Sequence, residues 1–294
     1  MDVKFYSDVV NFSELCYSFL AKHEAKNNLL FGILNTLKRN IHAYGSLERP
    51  RLITITKDEE IKLISIRTPP YNQLLSYTDD LESISVLVDT LSTKEENIPG
   101  VLGFKEGAWK FARAWASEHK KSVVLNMHER IYQLKSINPQ TLGDNTFEEA
   151  KQSHTKVLIE WMKEFIIEAM PHKSQEDIIN SQRRMKEAIT RGEVFILRVN
   201  DQIVSMAKKA GSTPNGRTIN AVYTPPSFRR RGYATEVVAK LCQNILDEGK
   251  KYCYLFTNLA NPTSNSIYMQ IGFKPVIDVD ELLFQDQIND NNQS

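Results

Sequence analysis

The segment INAVYTPPSFRRRGYATEVVAKLCQNIL, residues 219–246, decides the fold of the C-terminal half. Ile219 to Thr224 are apolar and strand-like, and Pro225 ends the strand because proline has no N–H to donate to a neighbouring strand. After a basic turn around Gly232, apolar residues recur at the spacing of an amphipathic helix. They are Val237, Val238, Leu241 and Ile245. The segment therefore predicts a strand, a basic turn and a helix that begins at Thr235 and stops near Gly249.

A helix that starts directly after a glycine turn is a site for a phosphate-bearing ligand. Several backbone N–H groups at a helix start have no partner within the helix, and the helix dipole adds partial positive charge there. Gly232 and Ala234 are small, so a ligand can approach the backbone. Taken alone, the pattern also fits a solvated turn with surface arginines. No Lys-Ser or Lys-Thr pair follows the glycine, which argues against a P-loop nucleotide enzyme.

A second motif lies downstream of the first. Tyr252–Thr257 reads as a buried strand, and the pattern Asn-x-x-Ser-x-x-x-Tyr followed by Gly-Phe comes next. Its positions are Asn261, Ser264, Tyr268, Gly272 and Phe273. With Arg229, Gly232 and Ala234, which fit Arg/Gln-x-x-Gly-x-Gly/Ala, the chain resembles the GCN5-related N-acetyltransferase (GNAT) family. In that family the first pattern is the loop that binds the pyrophosphate of acetyl-CoA.

The resemblance implies an α/β (α+β) fold with a mixed, mostly antiparallel central sheet flanked by helices. It also implies acetyl-CoA as co-substrate and assigns the residues that bind it. The pyrophosphate would lie on Arg229, Arg230, Arg231, Gly232, Tyr233, Ala234 and Thr235. Val222, Tyr223 and Thr224 would splay from the next strand and meet the thioester and the pantetheine arm. Asn261, with Ser264 in the same motif, would hydrogen-bond that arm.

Two catalytic residues follow from the same resemblance. Tyr268, a phenol, would protonate the departing CoA thiolate as general acid. The alternative to this role is that Tyr268 is an ordinary tyrosine of the hydrophobic core. Many family members carry a glutamate on the strand before the loop as general base, but this chain has no carboxylate between Asn220 and Thr224. Glu168, on the helix-like segment 157–170, is the leading candidate for the base, and Asp278 and Asp280 come next. For all three, the alternative is a solvated carboxylate.

Composition limits the other possibilities. The chain has 294 residues, of which 37 are basic and 36 acidic, so nothing in its charge predicts nucleic acid or a membrane surface as partner. Cys16, Cys242 and Cys253 are far apart and no histidine pair has metal-ligand spacing, so we expect reduced thiols and no metal. No apolar run reaches the length of a membrane span, and the N-terminus lacks a signal-peptide pattern. We therefore expect a cytoplasmic protein.

The rest of the C-terminal half fits one α/β unit. Helices are predicted at 157–171 and 175–190, with Pro171 between them, and strands at 193–199 and 202–209 join at the turn Asn200-Asp201. Pro, Gly and Asn mark a boundary near 136–145. We predict an N-terminal domain at residues 1–140, the acetyl-CoA-binding domain at 146–284 and a polar tail at 285–294.

The N-terminal half suggests a second, degenerate copy of the same fold. Helices are predicted at 28–37 and 80–91, and a hairpin at 52–67. A Gly turn at 100–103 before an aromatic helix echoes the C-terminal motif without its basic residues. Trp109 and Trp115 on that helix either line an acceptor cleft or belong to the core.

The sequence thus predicts an N-acetyltransferase that moves the acetyl group of acetyl-CoA directly to an amine of a small molecule or peptide. The alternatives are a non-catalytic CoA-binding protein and an acyltransferase that uses a longer acyl-CoA or forms an ester. Acceptor-binding loops carry no shared motif, so the acceptor is not predicted. A monomer and a homodimer both stay open.

Overall fold

The computed structural model of the protein describes residues 1–94, 97–170 and 174–287. The chain forms two compact units. Unit 1 comprises Met1–Ile131, Asn258–Ala260 and the segment that begins at Val276, and unit 2 comprises Tyr132–Thr257 and Asn261–Pro275. The domain limits proposed from the sequence stay a prediction. Pro171 and residues 288–294 of the tail lie outside the described residues, while Gln285 and Asp286 belong to the last strand.

Unit 1 begins with a strand and two helices and continues with three strands. In chain order its elements are β1 (Asp2–Tyr6), α1 (Val9–Lys22), α2 (Asn28–Arg39), β2 (Arg51–Lys57), β3 (Glu60–Arg67), β4 (Gln73–Leu75), α3 (Glu82–Thr93), β5 (Gly100–Phe104), α4 (Lys105–His119) and β6 (Lys121–Leu134). The hairpin predicted at 52–67 is present, and its turn residues Asp58 and Glu59 have φ angles of 52° and 64°. Such angles define the tight turn that matches the twist of a hairpin.

Unit 2 repeats this order of elements. They are β7 (Thr146–Glu149), α5 (Thr155–Ala169), α6 (Gln175–Thr190), β8 (Val194–Val199), β9 (Gln202–Ser212), β10 (Gly216–Tyr223), α7 (Tyr233–Asp247), β11 (Tyr252–Asn258), α8 (Pro262–Ile271) and β12 (Lys274–Asp286). From Val276 onward β12 belongs to unit 1, and from Tyr132 onward β6 belongs to unit 2. Two tandem copies of one fold produce such a repeated order.

Each unit is built on a mixed, mostly antiparallel sheet. In unit 1 the strand order is β1-β2-β3-β4-β5-β12-β6, and in unit 2 it is β11-β10-β9-β8-β7. The pairs β4–β5 and β10–β11 are parallel, whereas β2–β3, β5–β12 and β8–β9, among others, are antiparallel. The predicted fold class is therefore confirmed.

Apolar side chains cover both faces of each sheet. In unit 1, α1 and α2 pack on one face through residues such as Phe12 and Leu34, and α3 and α4 pack on the other through Leu87 and Phe111. In unit 2, α5 and α6 contribute to one core and α7 and α8 to the other. The sequence left two roles open for Trp109 and Trp115, an acceptor cleft or the core. Trp115 is 2% exposed and stacks on Phe111, so it belongs to the core.

The Gly turn predicted before α4 is wrong. Gly100 and Gly103 lie inside β5, and α4 follows Phe104 directly. A Cβ atom on Gly100 would lie 2.3 Å from the carbonyl oxygen of Leu282, so glycine is needed there for the close approach of β12.

In the repeated order, the counterpart of β10 and α7 is instead β4 and α3. There Asp80 Oδ1 accepts hydrogen bonds from the N–H groups of Glu82 (3.1 Å) and Ser83 (3.2 Å) at the start of α3. A carboxylate of the chain itself thus occupies this helix N-terminus. A phosphate at the same position would be repelled by this carboxylate.

Glu129 on β6 is expected to make the stability of the protein depend on pH. Burial raises the pKa of its carboxyl group to about 7, and the nearby Glu281 carboxylate adds to the rise. Because the pKa is higher in the folded than in the unfolded state, the contribution of Glu129 to the free energy of unfolding is fully present below pH ~4.5. This contribution is lost as the pH rises through 7. We expect Glu129→Gln to raise the free energy of unfolding by about 1–3 kcal/mol at pH 8 and to change it little at pH 4.5.

Urea unfolding of both proteins at the two pH values measures this difference. Glu118→Gln, at an exposed position of α4, serves as control and should leave stability unchanged at both. Equal effects of Glu129→Gln at pH 4.5 and 8 would contradict the assignment.

Candidate functional site

The two parallel strands of unit 2 separate partway along their length. Their ladder pairs Gly216 with Tyr252 and ends with Thr218 opposite Tyr254. β10 nevertheless continues to Tyr223 and β11 to Asn258. The described part of the sheet therefore opens between these strands, in the region that contains Val222 and Tyr223. Backbone groups along such an opening can hydrogen-bond an extended ligand in the way that an added strand would.

A bulge in β10 lies at this opening. Asn220 pairs with Lys208 and Tyr223 with Met206, so Ala221 and Val222 on β10 stand against one residue of β9. Ala221 has a φ angle of +49°, a left-handed conformation that costs a non-glycine residue about 1–2 kcal/mol. A bulge takes a residue out of the ladder and is over-represented beside active sites. The sequence gives no sign of it, since alanine is not a residue that favours this conformation.

Gly232 occupies the cap position at the N-terminus of α7 with a φ angle of +80°. Within the described part of the chain, no side chain caps this helix N-terminus. A Cβ atom on Gly232 would meet nothing within 4 Å among the described residues. The helix starts at Tyr233, two residues before the predicted start. Uncapped N–H groups, the helix dipole and open space together fit a phosphate-bearing ligand.

Arg229 joins the basic turn to α5. Its Nε donates to the carbonyl oxygen of Thr224 (2.8 Å), and its Nη2 donates to Glu168 Oε2 (2.6 Å). The hydrogen bond and the charge of Glu168 raise the pKa of the guanidinium. Arg229 therefore contacts both Thr224, another predicted cofactor residue, and Glu168, the predicted base.

Glu164 is a residue of this region that the sequence analysis missed. Its Oε2 accepts a hydrogen bond from the hydroxyl of Tyr223 (2.9 Å), and burial, followed by this hydrogen bond, raises the pKa of Tyr223 to about 12. Glu164 lies one helical turn before Glu168, so the i, i+4 spacing was the signal available. Ser205 was missed as well, and its hydroxyl bonds the Thr224 hydroxyl at 2.8 Å.

The other predicted cofactor residues are distributed around the loop and α8. Arg230 and Arg231 are exposed, while Tyr233, Ala234 and Thr235 are half-buried in the first turn of α7. Asn261 caps α8, because its Oδ1 accepts from the N–H of Ser264 at 3.0 Å. The side-chain oxygen of Asn261 thus already has a structural role in unit 2.

Tyr268 is a buried residue of α8. Its side chain is 9% exposed and contacts Phe273 edge-on at 5.9 Å between ring centres. Among the described residues, no hydrogen bond involves its hydroxyl group. Burial is the main cause that raises the pKa of this phenol to about 12, and it therefore stays protonated at neutral pH.

Asp278 and Asp280, the secondary candidates for the base, lie on β12 in unit 1. Asp278 forms a two-pronged ion pair with Arg130, at 2.6 and 3.0 Å, and the hydrogen bond from Arg130 holds the pKa of Asp278 below its ordinary value. Asp280 is 1% exposed and has two hydrogen-bond partners, His128 and Trp109. The lowered pKa makes Asp278 a weak proton acceptor, and Asp280 is enclosed by protein.

Comparison with known proteins confirms the resemblance drawn from the motifs. Residues 199–281, which contain the basic turn and the Tyr268 motif, match the model of the FR47-like protein family, which is related to the GNAT enzymes. No curated protein matches the sequence.

Solved structures share the fold over nearly the whole chain. A GNAT-family acetyltransferase from Colwellia psychrerythraea has a TM-score of 0.62 at 10% identity and covers 97% of this chain and 99% of its own. A Drosophila protein gives 0.64 at 11% identity, with 97% and 98% covered. A GCN5-related N-acetyltransferase from Sphaerobacter thermophilus gives 0.57 at 10% identity, with 84% of each chain covered. The fold is that of the GNAT acetyltransferases.

Within residues 1–94, 97–170 and 174–287, no group of three or more His, Cys, Asp or Glu side chains is arranged to hold a metal ion. No helix in these ranges has the length and apolar character that crossing a membrane requires.

Proposed function

We propose that unit 2 binds acetyl-CoA and transfers its acetyl group directly to a primary amine. One observation carries this proposal: the uncapped N-terminus of α7 follows a bulged strand that diverges from its parallel neighbour. An anion site and an open strand edge, joined by one short loop, suit a ligand with a pyrophosphate at one end and an amide-bearing arm at the other.

The residues expected to hold acetyl-CoA have separate tasks. The N–H groups of Arg229–Thr235, Gly232 among them, would bind the pyrophosphate, and Arg230 and Arg231 would add positive charge from solvent. Val222, Tyr223 and Thr224 would bond the pantetheine amides and the thioester. Asn261 and Ser264 at the start of α8 would lie beside the arm.

Acetyl-CoA would supply the acetyl group in activated form, as a thioester. An N–H of Val222 or Tyr223 would donate to the carbonyl oxygen as negative charge develops on it. The Tyr268 hydroxyl would donate its proton to the sulfur as the thiol leaves. Cys16, Cys242 and Cys253 are all fully buried, so no thiol of the chain is accessible to take up the acetyl group, and transfer to the amine would be direct.

The amine must lose a proton before it attacks, and Glu168 is the proposed acceptor of that proton. Its side chain is 55% exposed and bonds Arg229, so a water molecule would connect it to the amine. We expect Glu168→Gln to lower kcat/KM by about 10- to 100-fold and to leave the affinity for acetyl-CoA unchanged. Steady-state kinetics measures the first quantity, and calorimetry measures the second.

Glu160 provides a matched control for Glu168. It lies on the same helix, is 54% exposed and pairs with Lys163 at 3.1 Å. Glu160→Gln should leave both quantities unchanged. If Glu168→Gln weakened acetyl-CoA binding as much as it lowered kcat/KM, Glu168 would position Arg229 and would not be the base.

Calorimetry and a thiol-release assay test the proposed function. We expect saturable binding of acetyl-CoA, and release of free CoA when an acceptor from a panel of small amines and peptides is added. Binding without release for any amine would favour a non-catalytic CoA-binding protein. Faster release from longer acyl-CoA esters would favour an acyltransferase of that specificity. No binding at about 1 mM acetyl-CoA would contradict the proposal.

Location and assembly also remain predictions. We propose a cytoplasmic protein. The near-neutral charge of the chain supports the proposal that neither nucleic acid nor a membrane is its partner. Sedimentation would distinguish a monomer from a homodimer.

A further inference from the structure

Unit 1 contains a cavity that the proposed acetyl transfer does not explain. Its volume is about 960 Å³, at the upper end of the usual range for small-molecule sites. Residues of α4, β6 and β12 line it, together with Leu81 before α3. Trp109, Ala114, Leu81 and Leu125 give it apolar walls. A cavity of this size and character suits a small organic molecule.

A buried carboxylate fixes two groups of the cavity lining. Asp280 Oδ2 accepts from Trp109 Nε1 at 2.7 Å, and Asp280 Oδ1 lies 2.5 Å from His128 Nδ1. Asp280 is 1% exposed, and a charge so buried is costly unless its partners are in place. An apolar residue in β12 would fill this part of the core without that cost. What the carboxylate adds is a fixed orientation of the indole and the imidazole.

The charges at the cavity are mainly positive. Lys105, Lys110 and Arg113 line it from α4. The acidic residues of the lining are Glu106 and Asp280, and Asp280 is already bonded to Trp109 and His128. Within the described part of the chain, neither Lys105 nor Lys110 takes part in a salt bridge. Arg113 lies over the Trp109 ring, 5.6 Å from its centre. These cations are therefore placed to receive an anion next to an aromatic surface.

We propose that this cavity binds a small aromatic carboxylate. The carboxylate group is paired by Lys110 and Arg113, and the aromatic body lies against Trp109, whose ring is held by Asp280. His128 supplies a polar contact, because its Nδ1 faces Asp280 and its Nε2 remains for the ligand. This site belongs to unit 1 alone and does not depend on acetyl-CoA binding by unit 2.

Calorimetric titration of the full chain with 3-phenylpropionate tests the proposal, with 3-phenylpropanamide as the uncharged analogue of the same shape. We expect the carboxylate to bind at least about tenfold more tightly than the amide. Lys110→Gln and Arg113→Gln should each remove about fivefold or more of the carboxylate affinity and leave that of the amide unchanged. Trp109→Leu should weaken both ligands. Lys38→Gln, at an exposed position of α2, is the control and should change neither.

Three results would overturn the proposal. The first is equal affinity for carboxylate and amide, and the second is no binding of either at about 10 mM. The third is carboxylate binding that survives both Lys110→Gln and Arg113→Gln. Because these two substitutions are on the surface of α4, thermal unfolding should show both variants folded, and a negative result is then informative.

Discussion

Tyr268→Phe is expected to lower the turnover of acetyl transfer by about 10²- to 10³-fold while the affinity for acetyl-CoA changes by less than about twofold. The substitution keeps the ring that packs on Phe273 and removes the hydroxyl alone. A proton donor used only as the thiol leaves contributes to the transition state and not to ground-state binding. Steady-state kinetics gives the turnover, and calorimetry gives the affinity.

The raised pKa of Tyr268 refines this expectation. With a pKa of about 12 the phenol keeps its proton at any ordinary assay pH. A thiol has a reference pKa of about 8.5, so complete proton transfer from the phenol to the thiolate is uphill in the ligand-free environment. The hydroxyl would therefore first donate a strong hydrogen bond to the sulfur as charge develops, and its proton would pass to the sulfur only as the free thiol departs. Its titration should add no alkaline limb to the pH–rate profile below pH 10.

Tyr252→Phe is the matched control for this prediction. Tyr252 lies at the start of β11, where the ladder to β10 is intact. The same loss of a hydroxyl there should alter neither turnover nor affinity. Equal losses of turnover and affinity in Tyr268→Phe would rule out the general-acid role and leave Tyr268 as a core residue.

Gly232→Trp is expected to weaken acetyl-CoA binding by at least about 100-fold. Gly232 has a φ angle of +80°, so any other residue is strained there, and the new side chain would project into the space that lies beside the first turn of α7. The indole would then stand where the pyrophosphate is proposed to lie. Calorimetric titration of the folded variant measures the loss.

The other end of the same helix provides the control. Gly249 has a φ angle of +89°, and a Cβ atom there also meets nothing within 4 Å of the described residues. Gly249→Trp thus introduces the same residue with similar backbone strain and similar space, but at the C-terminus of α7. It should lower stability as much as Gly232→Trp does and leave acetyl-CoA binding intact. Equal losses of binding would show that strain, and not blockage of an anion site, is responsible.

Local patterns were enough to predict most of unit 2. The α5–α6 pair, the hairpin at Asn200-Asp201 and the succession from β10 to α7 follow from periodicity, proline and turn residues that lie close together in the chain. Both turn residues adopt left-handed conformations, with φ angles of 46° and 61°. Such features depend on neighbours in sequence and can therefore be derived from the sequence.

What the sequence did not reveal depends on distant partners. β6 carries His128, Glu129 and Arg130 in its middle, and these polar residues hide its strand character. His128 bonds Asp280 and Arg130 bonds Asp278, about 150 residues away in the chain. From sequence alone, the glycines of β5 look like the counterpart of the cofactor loop. The order of helices and strands in the structure shows that the counterpart lies at Asp80, before α3. The bulge at Ala221 and the Glu164–Tyr223 bond are likewise products of tertiary packing.

A crystal structure of the protein with acetyl-CoA would test the central claim most directly. The pyrophosphate should lie within hydrogen-bond distance of the N–H groups at the start of α7, with Gly232 at the phosphate. The pantetheine arm should run through the opening between β10 and β11, and the thioester should lie near Val222. Acetyl-CoA bound elsewhere, with the start of α7 in contact with solvent alone, would contradict the account.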